Sequence, residues 1–245
     1  MKKILTALIM VGAGMAYAQT ANEIIKNYFE ATGGYEEWSK LESVKMTAKV
    51  NQQGLEIPLE IVQLKDGRQS TSFVVQGQKM YQGVFDGETV WNTNFMTMKP
   101  EKADDETTAN MKLNSNDFPM DLYDFDKKGY TAELLGSETI EGTDTHKIKL
   151  TKEPITVDGE KIDDVIYYFF DKDSGAILMA EQEVKMGPQK GTISQTVFSD
   201  YDEVNGLYFP FSMTQGVKGG QSQPLMIDAI ETNVEVDETI FAFPE

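Results

Sequence analysis

The chain has 245 residues, of which 40 are acidic and 22 basic, with a single histidine, no cysteine and a formal net charge of −18. The lack of cysteine excludes disulfides, thiol catalysis, thiolate metal sites and a lipid-modified N-terminal cysteine, and one histidine cannot form a histidine-clustered metal centre. A field of this sign repels nucleic acid and anionic membrane surfaces, and its plain physical use is solubility.

At the N-terminus Lys2 and Lys3 precede an apolar run over 4–11 and a small-residue stretch ending Ala16-Tyr17-Ala18, the pattern of a secretory signal peptide cleaved after Ala18. The run is too short to anchor in a bilayer, and no later stretch is long enough to span one. Removing 18 of 245 residues leaves 227, and losing the two leader lysines takes the charge from −18 to −20. Residues 19–245 are read as one exported, soluble domain with a sizeable core.

Thr20 and Glu23 have capping-box spacing; Ile24, Ile25, Tyr28 and Phe29 form one apolar stripe behind them, and Gly33-Gly34 ends the helix. A short continuation carries Tyr35, Trp38 and Leu41. Alternation then takes over, with Val44, Met46, Ala48 and Val50 on one strand face and Leu55, Ile57, Leu59 and Ile61 on another. Turn signals recur at Asp66-Gly67, Asp86-Gly87, Lys128-Gly129, Glu141-Gly142, Asp158-Gly159, Ser174-Gly175 and Asn205-Gly206, so the strands are short and joined as hairpins. Phe85 and Trp91 flank the Asp86-Gly87 turn and bring apolar bulk to it.

Between residues 100 and 129 strand alternation stops. Phe118, Leu122 and Phe125 fall at i, i+4 and i+7 behind Asp117, which predicts a short amphipathic segment inside a long connection, and connections of this length are usually functional, lid-like or disordered. His146, Ile148 and Leu150 then share a strand face. In "VIYYFF" over 165–170, which includes Tyr168, both faces are apolar and both need cover. "DKDSGAILMAEQ" has EF-hand spacing at Asp171 and Asp173, but Gly175 comes one position early and Gln182 replaces the bidentate Glu, so it reads as a hairpin turn.

The expected architecture is a helix, a strongly curved antiparallel sheet of about ten strands and a helical insertion closing over it, a shape whose hollow can hold a hydrophobic ligand. Motifs for chemistry are absent: there is no G-x-S-x-G, H-E-x-x-H, Walker loop or dinucleotide fingerprint. His146 reads as a strand side chain. No cofactor or metal is expected, and no enzyme; among so many carboxylates a hydrolase using two of them stays open as an alternative.

Several segments, in order, resemble the LolA-like outer-membrane lipoprotein-sorting proteins, periplasmic carriers of Gram-negative bacteria. They are "NEIIKNYFEATGGYEEWSKLESVKMTAKV", "GQKMYQGVFDGETVWN", "DFDKKGYTAELLGSETIEGTDTHKIKLT", "YYFFDKDSGAILM", "SDYDEVNGLYFPFSMT" and "IETNVEVDETIFAFP". The resemblance implies a mainly β fold with α elements, a half-open antiparallel β-barrel (LolA/LolB/LppX-like) covered by the N-terminal helix and an inserted helical lid. It further implies a monomeric periplasmic carrier of lipoprotein or related lipid cargo, with inner-membrane donor and outer-membrane acceptor proteins. Its cavity or lid would draw on Ile24, Ile25, Tyr28, Phe29, Met46, Ile57, Leu59, Phe85, Trp91, Phe118, Leu122, Phe125, Ile148 and Tyr168, although the same apolar pattern equally describes a packed core.

Arg68, the sole arginine, stands where the family has an arginine after a proline, here with Asp66-Gly67 instead. The resemblance implies that it hydrogen-bonds the lid closed; the turn alone implies a solvated arginine. An envelope sensor on the same fold remains an alternative to a carrier. By charge alone, a docking partner would present a basic patch, and salt would slow its association.

Overall fold

The computed structural model describes residues 19–244 apart from Gln53; the expected leader with its cleavage after Ala18 lies outside them. Helix α1 (Ala21–Ala31) begins as its sequence predicts. The Thr20 hydroxyl accepts from the Glu23 N–H at 3.2 Å, and the Glu23 carboxylate accepts from the Thr20 N–H at 2.7 Å. The helix ends at Gly33, with φ of 119°, where a Cβ would lie 2.2 Å from the Gly206 carbonyl. Helix α2 (Tyr35–Ser39) follows and turns Trp38 inward.

An unbroken meander comes next: β1 (Ser43–Gln52), β2 (Leu55–Leu64), β3 (Gln69–Val75), β4 (Gln78–Phe85), β5 (Val90–Thr93) and β6 (Pro100–Lys102). Helix α3 (Asp105–Asn114) interrupts it, and β7 (Thr131–Ile140), β8 (Thr143–Thr151), the small hairpin of β9 (Ile155–Val157) and β10 (Glu160–Ile162), β11 (Val165–Asp171), β12 (Ile177–Glu183), β13 (Ile193–Val204), β14 (Leu207–Val217) and β15 (Ser222–Thr232) complete the order. Thirteen strands form one sheet, ordered β6-β5-β4-β3-β2-β1-β15-β14-β13-β12-β11-β8-β7. All its described pairings are antiparallel, and β6 and β7 stay at the edges, so the barrel is half open as expected.

Strand alternation divides the core into two. On the inner face α1, α2 and the 118–130 segment pack over β1, β8, β11, β14 and β15, with Phe29, Leu122, Ile148, Leu150 and Phe170 fully buried. On the outer face Val62, Val84 and Trp91 are covered by the C-terminal segment through Phe241, with Tyr81 and Phe243 at the margin. Phe169 points outward from β11, and the Lys147 ammonium lies 5.0 Å from its ring centroid, so a snorkelling lysine supplies part of the second cover that the strand demands.

The insertion is helical, but its helix covers 105–114, upstream of the 117–125 stretch that the apolar spacing predicts. Asp104 caps α3 by accepting from the Thr107 N–H at 2.7 Å. Phe118 precedes, and Leu122 and Phe125 anchor, a succession of turns over 121–129. Helix α3 docks through polar groups: Asn110 exchanges hydrogen bonds with the Thr156 backbone at 2.6 and 2.9 Å, and Glu106 accepts from the N–H groups of Asp158 and Gly159. A helix held this way has no apolar stripe to detect.

Candidate functional site: an apolar hollow under a lid

Alternate residues of the inner sheet face build a wall that is apolar in its deep part and mixed further along the strands, where Thr71, Gln78, Gln82 and Gln223 stand among the apolar side chains. Its deep part is a recess of about 230 Å³ beneath α1, α2 and Pro119-Met120, lined by Tyr28, Trp38, Met46, Tyr168, Phe198, Tyr201, Phe209, Met213, Ile227 and Ile230. Along the same strands it passes into a trough of about 850 Å³ bounded by Val50, Ile57, Leu59, Phe73, Met80, Phe95 and Met98. A side arm of about 480 Å³ adds Ile61, Val217 and Leu225 and shares Val50 and Leu59 with the trough. The trough falls within the roughly 300–1,000 Å³ of ordinary ligand pockets, whereas the recess alone falls below it.

A polar pocket of about 350 Å³ adjoins the recess and shares Gln63, Pro119 and Met120 with it. Lys152 forms its floor, 2.5 Å from Asp117 and 3.6 Å from Asp164, and it donates to Asn114 at 2.9 Å. Tyr130 donates to Asp117, and Gln182 to Asp164. The Tyr168 hydroxyl donates to both carboxylate oxygens of the buried Asp121, at 2.8 and 2.9 Å. Burial raises the Asp121 carboxyl above its ordinary range, and nearby Lys152 pulls the other way. Burial likewise raises the phenols of Tyr28, Tyr168 and Tyr201. Every buried side-chain nitrogen and oxygen among the described residues has a hydrogen-bond partner, so this network fixes the lid segment to the sheet.

Of the residues read from the sequence, Tyr28, Met46 and Tyr168 line the recess, and Ile57 and Leu59 line the trough. Ile24, Ile25, Phe29, Leu122, Phe125 and Ile148 are packed in the inner core between helix, lid and sheet. Phe118 packs against that core at the edge of the polar pocket. Phe85 is buried beside Gln69 and Val90 and does not reach the hollow. Trp91 faces the opposite side of the sheet, donating its indole N–H to the Phe241 carbonyl at 2.9 Å. One face of a strand looks like the other in sequence until the register is known.

Arg68 lines the polar pocket beside Asn114, Ser115 and Asp117 of the insertion, while its charged contacts run to other partners. Its guanidinium lies 2.8 Å from Asp66, 3.2 Å from Glu238 and 5.3 Å from the Phe241 ring centroid, which ties the C-terminal segment to the β2–β3 turn. Sequence reasoning missed Phe198, Phe209, Met213, Ile227 and Ile230. Their signal was there in the alternation of Phe209, Phe211 and Met213, and of Leu225 and Ile227, which places them on one face.

Among the described residues no group of three or more His, Cys, Asp or Glu is arranged to hold a metal ion, and no helix is long and apolar enough to cross a membrane. His146 lies within β8, where burial and nearby Lys172 lower its pKa. Asp171 closes the β11–β12 turn by accepting from the Asp173 N–H and the Ser174 hydroxyl, as the hairpin reading expects.

No family model matches the sequence, and no curated protein matches it. Solved structures do match. A DUF1329 family protein from Desulfovibrio piger aligns over 92% of this chain and 98% of its own at 14% identity and a TM-score of 0.56. A LolA superfamily protein from Nitrosomonas europaea aligns over 92% and 98% at 14% identity and a TM-score of 0.55. An outer membrane lipoprotein-sorting protein domain from Vibrio parahaemolyticus aligns over 90% and 95% at 13% identity and a TM-score of 0.53. Likeness at this level of identity is likeness of fold: the chain has a LolA-like fold, a half-open antiparallel barrel with a helical lid.

Proposed function

We propose that the protein is an exported carrier, cleaved after Ala18, that takes the acyl chains of a lipoprotein or related lipid into the hollow and carries them through the periplasm towards the outer membrane. The observation that supports this reading is the run of apolar side chains along β1 and β2, through Met46, Ile61, Leu59 and Val50, which leads from the recess beneath Pro119-Met120 to the open trough over β2, β3 and β4. Each methylene moved from water into such a wall contributes about 0.8 kcal/mol, so a single acyl chain supplies ample driving force without any covalent step. The neighbouring lipoprotein-sorting domain from Vibrio parahaemolyticus points to the same class of cargo. The adjoining polar pocket, with Lys152, Asp117 and Asp121, is the place for the linkage between chain and headgroup.

Release follows from the same arrangement. The deep recess is covered by a lid held by polar contacts and by the packing of Leu122 and Phe125, while the trough stays open, so a chain can be withdrawn by its exposed part without unfolding the sheet. Native mass spectrometry of the protein purified without detergent from its own host, followed by organic extraction, tests the reading. A co-purifying acylated protein or lipid is expected. Loss of all uptake of added lipid by wild type would sink the proposal, and Leu59→Lys, which places a charge in the half-exposed trough, should abolish uptake while leaving the fold intact.

A further inference from the structure

The strands around the trough carry charge on their outer face. Lys45 lies 3.2 Å from Glu60, Lys79 lies 3.5 Å from the same Glu60, and Lys49 lies 3.1 Å from Asp228, a ladder across β4, β2, β1 and β15. On the inner face the pattern ends. No residue lining the trough or its side arm is charged, although charged residues make up 25% of the chain. Burial does not account for this, because Gln76, Gln78, Gln82 and Gln223 line the trough and are themselves exposed.

Glutamine takes the polar places: those four in the trough, and Gln215 and Gln221 in its arm. Among the described residues no hydrogen bond within the protein occupies the side-chain amides of Gln78, Gln82 and Gln223, whereas those of Gln182 and Gln195 are tied to Asp164 and Glu181. An amide offers two donors and an acceptor without charge. Neutral groups that both donate and accept find partners on such a wall; an ionised group leaves water there and meets no counterion.

The trough also has two flanks. The run of apolar side chains from the recess follows β1 and β2, while the amides stand on β3 and β4. Across that second pair Thr71 faces Gln82, Phe73 faces Met80 and Val75 faces Gln78, so two amides bracket an apolar step. At the rise of a strand Gln82 and Gln78 stand about 13 Å apart, the length of roughly four residues of an extended peptide. The track starts at the polar pocket, because Gln69 lines that pocket and Thr71, the next residue on the same face of β3, lines the trough.

We infer that the β3–β4 flank of the trough holds the extended polypeptide next to the acylated residue of the cargo, and that it selects segments without charged side chains. The inference rests on the carrier reading, which puts the acyl linkage in the polar pocket. A peptide suits the flank better than a second lipid does. Its backbone donates and accepts alternately, as the amides do, whereas an ester only accepts. The trough is open, as the exit of a polypeptide requires, and an acyl chain lying there would face water. Met80 and Met98, unbranched and adaptable, let the same flank receive different neutral side chains.

Calorimetric titration of the purified protein with soluble decanoyl octapeptides tests it. One peptide is built of serine, asparagine and alanine; in two others a pair of these residues is replaced by aspartate or by lysine; decanoyl amide is the control without a peptide. The neutral lipopeptide should bind about tenfold more tightly than either charged one, and more tightly than decanoyl amide. The protein's overall negative field alone would favour the lysine peptide. Gln78→Glu and Gln82→Glu should each weaken the neutral lipopeptide and leave decanoyl amide unchanged, and Lys79→Gln on the outer face should change neither. Decanoyl amide binding as tightly as the neutral lipopeptide would overturn the inference and leave the carrier reading standing. So would tightest binding of the lysine peptide, or preference for didecanoylglycerol that the same glutamine variants remove. Failure of every one of these ligands to bind would overturn both.

Discussion

Trp38 and Trp91, the two tryptophans of the chain, lie on opposite sides of the sheet: Trp38 lines the recess, and Trp91 is sealed against the C-terminal segment. Each indole N–H is bonded, Trp38 to the Thr32 carbonyl at 3.2 Å and Trp91 to the Phe241 carbonyl at 2.9 Å. The two residues therefore report on different events.

A fatty acid brominated along its chain should quench Trp38 in the Trp91→Phe variant and leave Trp91 unquenched in Trp38→Phe. The measurement is tryptophan emission during titration with the brominated lipid. Equal quenching in both variants would mean that the chains bind on the surface and not in the hollow.

Arg68 predicts the behaviour of the C-terminal segment. Arg68→Met removes the contacts to Asp66 and Glu238 and the cation–π contact to Phe241, partly exposed interactions worth about 1 kcal/mol together. Amides near Phe241 should then exchange faster, while uptake of acyl chains stays at the wild-type level. Altered uptake with unchanged exchange would restore a lid-latching role to this arginine.

The sequence carried the fold well and the site unevenly, for reasons visible in single residues. Thr20 and Glu23 define the start of α1 because a capping box is local, and Asp86-Gly87 sets its hairpin because a turn is local too. Trp91 was unreadable as inner or outer because its face depends on a bulge where β4 pairs with β3 upstream of it, a matter of register. Helix α3 was invisible to apolar periodicity because Asn110 and Glu106 dock it by hydrogen bonds to the β9–β10 hairpin. The polar pocket joins Lys152 to Asp117 and Asp164, which only the closed chain brings together.

Lys152 should be the most costly single position in the lid network. Its side chain is only 7% exposed and faces Asp117 and Asp164. Lys152→Met leaves both carboxylates without their cation, and removing one partner from a buried ion pair costs about 3–5 kcal/mol. Urea unfolding should show this loss, and Asp117→Asn in the same background should recover part of it. A destabilisation below about 1 kcal/mol would show that water reaches the pair and screens it.

Asp121 gives the protein a pH dependence of definite sign. Its carboxyl is raised in the folded state, chiefly by burial, and Asp117 adds to the rise while Lys152, the Tyr168 hydroxyl and Lys128 oppose it. Between the ordinary carboxylate pKa and the raised one, the folded protein holds a proton that the unfolded chain has released, so this group's contribution to stability falls as pH rises through that window and is larger on the acid side. Asp121→Asn keeps an acceptor for the Tyr168 hydroxyl and removes the charge, so it should flatten the dependence and match or exceed wild-type stability at neutral pH. Tyr168→Phe strands the buried carboxylate without its donor and should cost about 1–3 kcal/mol at neutral pH, with less cost in mild acid. Urea midpoints measured across mildly acidic to neutral pH decide the matter: a wild-type profile that keeps its slope in Asp121→Asn would assign the dependence to another group.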